Sequence, residues 1–339
     1  MRLGLTLPYT DRIPREMTLA FVQAGDRLGY DTVWIAEVYG WDAFTVLTDL
    51  ANHTERIKLA TGIVNVFSRS PALIAQTAGS LDSISGGRFV LGLGTSGQQV
   101  VEGWHGVPFR RGVRRLRETT EIVRSVLRRD RLTYEGEIFH LPQALKLITH
   151  PLRSSIPICL ATLTPAGIAL AGEIADGWLP IFFSPHHFSR VFEPELARGA
   201  QRAGRSLAQL SICVFQPVIV TDDVARGRDS VRAQLALYLG GMGSRQRNYY
   251  NRLFCLYGFE AEAREIQDHY LSGRRAQATA AVSDEMVDLV TIIGPIPECR
   301  RRLDELAALG VSEVAVDLRV PGDDPAGVLA ALTGLAPAG

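Results

Sequence analysis

The sequence predicts an α/β protein folded as a (β/α)8 TIM barrel with insertions. Short apolar runs alternate with longer amphipathic runs along most of its 339 residues, and 46% of the residues are hydrophobic, enough for a large core. About eight β-α repeats fit into the chain, and eight is the number that closes such a barrel. A doubly wound sheet with a helical cap is the alternative, because alternating strands and helices also build open parallel sheets.

Each predicted strand is a short apolar, often β-branched run, and each predicted helix shows apolar residues at helical spacing. Strands are expected at 2–7, 31–37, 56–64, 88–94, 156–161, 176–183, 210–220 and 312–320. Helices are expected at 17–30, 43–54, 71–85, around 110–129, 165–175, near 186–204 and 295–309. The run 287–294 leaves the count at eight strands if it only leads into the last helix, and at nine otherwise.

Two segments interrupt the alternation. Residues 131–142 predict a β-hairpin with its turn at Glu135-Gly136, and residues 223–283 are mostly helical, polar and rich in Arg, Tyr and Gln. No low-complexity linker divides the chain. Residues 1–339 are therefore expected to form one domain that carries a hairpin insertion and a helical insertion.

Composition narrows the function classes. Lys and Arg together number 36, as do Asp and Glu, and this zero net charge argues against nucleic acid or an anionic membrane as partner. The N-terminus lacks a signal-peptide pattern, and no apolar run reaches the length of a membrane span. The four cysteines form no CxxC pair and the seven histidines no HxH or HxxxH group, so no metal site is expected. A cytoplasmic protein is predicted.

A barrel carries its active site at the carboxyl ends of its strands, so the residues that follow each strand are the candidates. Gly94, Thr95, Ser96 and Gly97 follow the fourth strand and precede a helix. Backbone N–H groups and hydroxyls in such a loop suit a phosphate, although a tight strand-to-helix turn would also need glycine. The loop lacks the GK[ST] ending of a P-loop, and it has no acidic ribose partner at the dinucleotide-fold spacing.

Glu37 follows the second strand, close to Tyr39 and Trp41. Aromatic neighbours that exclude water would favour the neutral carboxylic acid and let it exchange protons near neutrality. An ion pair or a helix cap is the alternative role. Asn65 and Arg69, after the third strand, are candidates to bind a polar ligand, and Arg69 could instead support its own loop.

The chain resembles the luciferase-like monooxygenase superfamily, and within it the coenzyme F420-dependent branch that includes methylenetetrahydromethanopterin reductase. The resemblance covers nearly the whole chain. It rests on GLTLPYT, DTVWIAE, TGIVNVFSRSP, SGGRFVLGLGTSG and ADGWLPIFF at five strands, and on NYYNRLFCLYGFEAEAREIQD at 248–268.

The resemblance implies a deazaflavin, coenzyme F420, across the strand ends, and a non-prolyl cis peptide between Gly62 and Ile63 that forms a bulge behind the ring. It further implies a homodimer and a small-molecule substrate. The implied cofactor-binding residues are Pro8, Gly62, Ile63, Val64, Asn65, Gly94, Thr95, Ser96, Gly97, Ala161, Asp176, Gly177 and Trp178. The implied substrate-side residues are Tyr9, Tyr39, Trp41, Arg69, Asn248 and Tyr249, although helix packing is an alternative for the last two.

The sequence departs from the family pattern at one point. Many relatives place a histidine directly after the acidic residue that ends strand two, whereas here Val38 follows Glu37. Protons would then fall to Glu37, to a substrate group, or to Glu102 downstream of the glycine loop. The leading expectation is hydride transfer between deazaflavin C5 and a small organic substrate. An FMN-dependent monooxygenase and a non-catalytic ligand-binding protein are the alternatives.

Overall fold

The computed structural model describes residues 1–8, 13–322 and 324–337. The strands are β1 Arg2–Leu7, β2 Thr32–Ile35, β3 Lys58–Thr61, β4 Val64–Asn65, β5 Phe89–Gly94, β6 Leu132–Glu135, β7 His140–Leu145, β8 Ile158–Ala161, β9 Gly177–Trp178, β10 Ser211–Val220, β11 Ile292–Gly294 and β12 Glu313–Arg319. The helices are α1 Arg15–Leu28, α2 Ala43–Ala51, α3 Pro71–Ile84, α4 Gln98–Gly103, α5 Gly112–Leu127, α6 Pro165–Ile174, α7 Glu193–Arg202, α8 Val224–Ala236, α9 Tyr249–Leu256, α10 Glu260–Leu271, α11 Arg275–Ala280, α12 Asp284–Val290, α13 Ile296–Ala308 and α14 Pro325–Gly334.

Eight parallel strands close a barrel, which confirms the predicted (β/α)8 fold. The hydrogen-bonded order is β1, β2, β3, β5, β8, β9, β10 and β12, and β12 pairs with β1 to complete the ring. The run 287–294 contributes no ring strand, since its first four residues belong to α12 and β11 pairs only with the last residues of β10. Of the two strand numbers that the sequence allowed, the barrel therefore has eight.

The barrel axis is filled by side chains rather than open. Its buried interior consists of Trp34, Ala60, Cys159, Leu179, Cys213 and Ala315. A much larger apolar layer lies between the strands and the surrounding helices. Because the interior is packed, a ligand has to bind at the rim, where the strands end.

Strand register brings the carboxyl ends of six strands, β1 to β5 and β8, to one rim. Leu7 pairs with Ile35, and Ile35 pairs in turn with Thr61. Gly94 pairs on one side with Asn65 and on the other with Ala161. The segments that follow these residues are therefore neighbours in space.

The third predicted strand, 56–64, is interrupted. It divides into β3 and β4 at Gly62, and the peptide bond between Gly62 and Ile63 is cis, as the resemblance implied. A Cβ atom on Gly62 would lie 2.6 Å from Cζ of Phe215, so only glycine fits beside that ring. β4 then pairs with β5 rather than continuing the ladder of β3 with β2.

The sixth strand is much shorter than the predicted 176–183. β9 comprises two residues, and a single bridge joins Ile181 to Phe215 farther along. Pro180 has no N–H to donate to a ladder, and Phe182 has a left-handed φ of 52°, so extended pairing ends here. The helix expected near 186–204 is an α-helix only in α7, after 3-10 and π turns.

The two segments that interrupt the alternation differ in structure. β6 and β7 form an antiparallel pair, and buried Glu118 on α5 accepts hydrogen bonds from the backbone N–H groups of Glu137, Ile138 and Phe139 at their turn. Residues 223–283 contain α8, α9, α10 and α11. Within the described ranges, no helix is both long and apolar enough to cross a membrane.

Candidate active site

An ion-pair cluster joins two neighbouring segments of the rim. Arg69 donates to Oε1 of Glu37 at 2.5 Å and to Oε2 at 2.8 Å, and it also binds the carboxylate of Asp42. The Glu37 side chain is 9% exposed and that of Arg69 is 16% exposed. Burial lowers the pKa of the Arg69 guanidinium, but the two carboxylates outweigh this effect and raise it overall.

The same cluster sets the start of helix α2. Asp42 is its N-cap and accepts from the backbone N–H of Thr45 at 2.7 Å, while Glu37 accepts from the N–H of Ala43 at 3.2 Å. Partial burial of Asp42 favours its neutral form, but hydrogen bonds from Thr45 and the charge of Arg69 lower its pKa on balance. The structure thus shows the alternative considered for Glu37, an ion pair beside a helix start.

The aromatic residues expected around Glu37 point outward instead. Tyr39 is 66% exposed and Trp41 is 51% exposed. Tyr39 lies against the exposed Trp104, with 6.4 Å between the ring centroids. Such open rings are available to a planar ligand, but they do not enclose the Glu37 carboxylate.

Asn65 occupies the centre of the predicted cofactor side. It is 1% exposed, and its Oδ1 accepts from the N–H of Phe67 at 2.9 Å. Its amide Nδ2 is buried and has no hydrogen-bond partner among the described residues. Nearly all buried polar groups in proteins are hydrogen-bonded, so this donor points to a missing acceptor.

Thr162 is in the same situation on the other side of Gly94. It follows Ala161, the last residue of β8, and its Oγ1 is buried without a partner in the described part of the chain. Gly94 pairs with Asn65 and Ala161 in the two flanking ladders. The two unpartnered groups therefore flank the same strand end.

The glycine loop continues from that strand end. Ser96 adopts a left-handed φ of 57°, and Gly97 precedes α4 without a side-chain cap. A Cβ on Gly97 would have no neighbour closer than 4.0 Å, so the backbone here is open to approach. A Cβ on Gly94, by contrast, would meet Cγ1 of Ile63 at 2.9 Å, which links this loop to the bulge.

Glu102 lies on α4 and is exposed. Its carboxylate accepts hydrogen bonds from Gln98 at 2.8 Å and from the N–H of Phe109 at 3.0 Å, and these bonds lower its pKa. The lowered pKa makes Glu102 a weaker proton acceptor than an ordinary glutamate and suits it to pair with a positive charge.

Asp176 lies away from this rim, whereas the indole N–H of Trp178 donates to the carbonyl of Thr162 at 2.9 Å. Asp176 precedes β9 and binds the N–H of Ile158 and the guanidinium of Arg124, at the amino end of the barrel strands. Trp178 is fully buried and packs on Phe192 outside the strands. These three residues were expected to assist a phosphate. Asp176 is bound at the amino end of the sixth strand, whereas Trp178, the last residue of β9, contacts the rim residue Thr162.

The insertion residues are also placed differently from a simple substrate surface. Asn248 is 1% exposed and caps α9, accepting from two backbone N–H groups and donating to the carbonyls of Tyr238 and Leu239. Tyr249 is 42% exposed. Pro8 is exposed directly after β1, whereas Tyr9 lies outside the described residues.

Sequence reasoning missed three residues of this region: Thr162, Trp34 and Phe215. The hydroxyl of Thr162 follows the predicted fifth strand, 156–161, and so lies among the candidate positions, but no motif in the sequence singles it out. Trp34 and Phe215 are interior strand residues whose rings meet edge to face at 5.5 Å beneath Gly62. No sequence signal separates them from ordinary core aromatics.

Comparisons with known proteins place the fold and site in context. The family model for luciferase-like monooxygenases matches residues 2–313. A Mycobacterium tuberculosis protein, whose name assigns it by inference to the coenzyme F420-dependent oxidoreductases, is 39% identical over 93% of this chain and 94% of its own. The 5,10-methylenetetrahydromethanopterin reductase of Archaeoglobus fulgidus is 30% identical over 87% of both chains.

A solved structure agrees with these relatives. The coenzyme F420-dependent tetrahydromethanopterin reductase of Methanopyrus kandleri superposes with a TM-score of 0.83 at 25% sequence identity. The match covers 99% of this chain and 97% of that one.

Proposed function

The chain belongs to the luciferase-like monooxygenase family, and on this premise we propose that it is an oxidoreductase that takes coenzyme F420 as its cofactor. When bound, this deazaflavin supplies the carbon, C5, that gives or accepts a hydride. The substrate is a small organic molecule with a C=C or C=N bond to reduce or an alcohol to oxidise.

The observation that carries the proposal is the pair of unpartnered polar groups around Gly94. Asn65 Nδ2 and Thr162 Oγ1 are buried without a partner in the described residues, on the two strand ends that flank β5. The pyrimidine edge of a deazaflavin presents carbonyl and ring-nitrogen acceptors. The rim therefore fits a planar heterocycle that completes both hydrogen-bonding sets.

We assign the remaining contacts by position. Gly62, Ile63 and Val64 provide a backbone surface for the ring, next to Ala161 and Pro8. The open backbone from Thr95 to Gly97 takes the phosphate of the cofactor tail. Asp176 and Gly177 take no part in this assignment, because they lie towards the amino ends of the strands, whereas Trp178 supports the rim by donating to the carbonyl of Thr162.

The acidic residues have separate roles in this proposal. Glu37 is held by Arg69 and orients the rim, so proton exchange through it would first require that this ion pair open. Glu102 stands exposed with a lowered pKa, which disfavours proton uptake, and it can stabilise a positive charge on the substrate side. Tyr39, Trp41 and Tyr249 offer exposed rings for substrate stacking.

The proposal is tested by titrating the purified protein with coenzyme F420 and, in parallel, with FMN. We expect F420 to bind at micromolar concentration, with FMN at least about tenfold weaker. Tight FMN binding with substrate-dependent O₂ consumption would favour a flavin monooxygenase. Absence of binding to either cofactor at micromolar levels would favour a non-catalytic ligand-binding protein.

A matched pair of variants tests the residues. Thr162→Val removes the rim hydroxyl and is expected to weaken F420 binding by about three- to tenfold, the effect of one hydrogen bond. Thr119→Val removes another buried, unpartnered hydroxyl on α5 and is expected to leave the affinity unchanged. Ser96→Ala probes the phosphate loop, and an unaltered dissociation constant would remove that loop from the assignment.

Three expectations extend the proposal to the whole protein. We propose that residues 1–339 form one domain, that the protein is a homodimer, and that it acts in the cytoplasm. The family resemblance supports the dimer, and the composition supports the location. Light scattering behind size-exclusion chromatography distinguishes a dimer from a monomer.

A further inference from the structure

A carboxylic acid lies inside the barrel and has no part in the proposed function. Glu313 is the first residue of β12 and is 3% exposed. Its Oε1 accepts a hydrogen bond from the indole N–H of Trp34 at 2.7 Å. Burying a carboxyl group costs free energy unless its partners compensate, so its presence in the interior calls for a reason.

β1, the strand between Glu313 on β12 and Trp34 on β2, leaves room for their hydrogen bond. Gly4 lies on β1, which pairs with β12 on one side and β2 on the other. A Cβ on Gly4 would lie 2.6 Å from Oε1 of Glu313 and 3.3 Å from Nε1 of Trp34. Any larger residue at this position would collide with the hydrogen bond, so the glycine and the bond form one arrangement.

The opposite edge of the same indole lies beneath Gly62, in the backbone surface of Gly62, Ile63 and Val64 that is proposed to support the cofactor ring. We call this surface the cofactor seat. Cε3 of Trp34 lies 3.4 Å from the position of a Cβ on Gly62, and Cζ of Phe215 lies 2.6 Å from it. Ile63 continues this surface, since its Cγ1 lies 2.9 Å from the Cβ position of Gly94. Trp34 therefore spans the barrel interior from Glu313 to the bulge at the rim.

We propose that Glu313 is a positioning residue, which holds the Trp34 indole beneath Gly62 and Ile63 and thereby sets the height and tilt of the cofactor seat. The inference rests on the proposed function, because it assigns a role toward the same bound deazaflavin. Rim side chains alone fix where the ring lies in the plane of the rim. The hydrogen bond between Glu313 and Trp34 fixes the surface behind the ring. Without this bond the indole could rotate, and that surface would be less well defined.

The surroundings of Glu313 support an orienting role. Burial raises its pKa, while the hydrogen bonds from Trp34 and Thr32 and the charge of Arg2 lower it, and Asp31 raises it. Arg2 Nε is 3.6 Å from Oε2 of Glu313.

The buried thiol of Cys213 also faces the Glu313 carboxyl group, and its pKa is raised, chiefly because of its contact with Cys159. The indole hydrogen bond needs an acceptor oxygen and not a charge, so glutamine can replace glutamate in this role.

The experiment uses three variants of the full chain. Glu313→Leu removes the acceptor, Glu313→Gln keeps it without the charge, and Trp34→Phe keeps an aromatic ring without the N–H. Two readouts are measured: the dissociation constant for coenzyme F420, and the NMR signals of the Ile63 methyl group and the Trp34 indole in the free protein. The indole signal is assigned by its loss in Trp34→Phe, and the methyl signal by its loss in Ile63→Val.

We expect Glu313→Leu and Trp34→Phe to shift the Ile63 signal and to raise the F420 dissociation constant at least tenfold. Glu313→Gln is expected to keep the F420 dissociation constant within about threefold of that of the unmodified protein and to leave the Ile63 signal in place. Asp82→Asn is the control, since Asp82 is a fully buried carboxylate bound by Arg153 away from the rim. It is expected to lower stability and leave both readouts unchanged.

The inference is overturned if folded Glu313→Leu keeps the Ile63 signal or binds F420 with unaltered affinity. It is also overturned if Asp82→Asn reproduces the effects, because a general loss of stability would then explain them. If Glu313→Leu does not fold, Trp34→Phe decides in the same way. If the unmodified protein does not bind F420, the proposed function fails, and the Ile63 signal alone then decides whether Glu313 positions the bulge.

Discussion

Arg69 donates to both carboxylate oxygens of Glu37 at 2.5 and 2.8 Å, and so ties the segment after β4 to the segment after β2. The backbone of Glu37 adds a second tie, since its N–H donates to the carbonyl of Ile63 at 3.2 Å. The segment after β2 therefore contacts the bulge directly. Glu37 therefore maintains the shape of the rim in the free protein.

Replacing Arg69 by methionine should leave Glu37 buried and unpaired. Removing one partner of a buried ion pair typically costs about 3–5 kcal/mol of the free energy of unfolding, and we expect a loss in this range from urea denaturation. The double variant Glu37→Met with Arg69→Met should lose less than Arg69→Met alone, because the buried carboxylate is gone and only the more exposed Asp42 lacks its cationic partner. Equal stability of Arg69→Met and the unmodified protein would show that the pair contributes nothing.

Gly62→Ala should destabilise the protein through a direct collision. Its Cβ would lie 2.6 Å from Cζ of Phe215 and 3.0 Å from Cε1. Overpacking of this kind costs about 1–3 kcal/mol, and thermal and urea unfolding should both detect it. Gly103→Ala in α4 is the control, because a Cβ there meets nothing within 4 Å and alanine favours helix. Combining Gly62→Ala with Phe215→Leu should recover part of the loss.

Glu313 should make the free energy of unfolding depend on pH in a defined direction. Burial raises its pKa in the folded protein above the ordinary value of 4.5. Its favourable contribution is therefore complete below pH 4.5 and is lost as the pH rises through the raised pKa. Urea denaturation of Glu313→Gln and the unmodified protein across this window should give a stability difference that shifts in favour of the glutamine variant at higher pH. A constant difference would contradict the raised pKa.

Asn248→Ala should affect folding rather than substrate binding. Its side chain caps α9 and donates to two carbonyls, so all of its hydrogen-bonding groups are used. We expect a loss of about 1–3 kcal/mol in the free energy of unfolding, with KM unchanged for any substrate found. Tyr249→Ala, at an exposed neighbour, should show the opposite pattern. A raised KM for Asn248→Ala at unchanged stability would return it to the substrate surface.

Local patterns predicted the elements well where a strand or helix repeats regularly. β1 coincides with the predicted 2–7, and α6 begins at Pro165 as expected. The predictions were wrong where backbone chemistry interrupts a pattern. Pro180 and the left-handed Phe182 end the sixth strand early. The run 287–294, whose role the sequence left open, contains the end of α12 and all of β11.

The sequence by itself determined the barrel, the family and the rim segments that follow the strands, because periodicity and short motifs are local properties of the chain. The tertiary structure decided which side chains meet. Glu37 pairs with Arg69 across 32 positions, and Trp34 binds Glu313 across 279. It also separated Asp176 from the rim, since the two ends of a short strand differ by only a few residues in sequence but lie on opposite faces of a barrel. Contacts of this kind depend on strand register and closure, which no local pattern specifies.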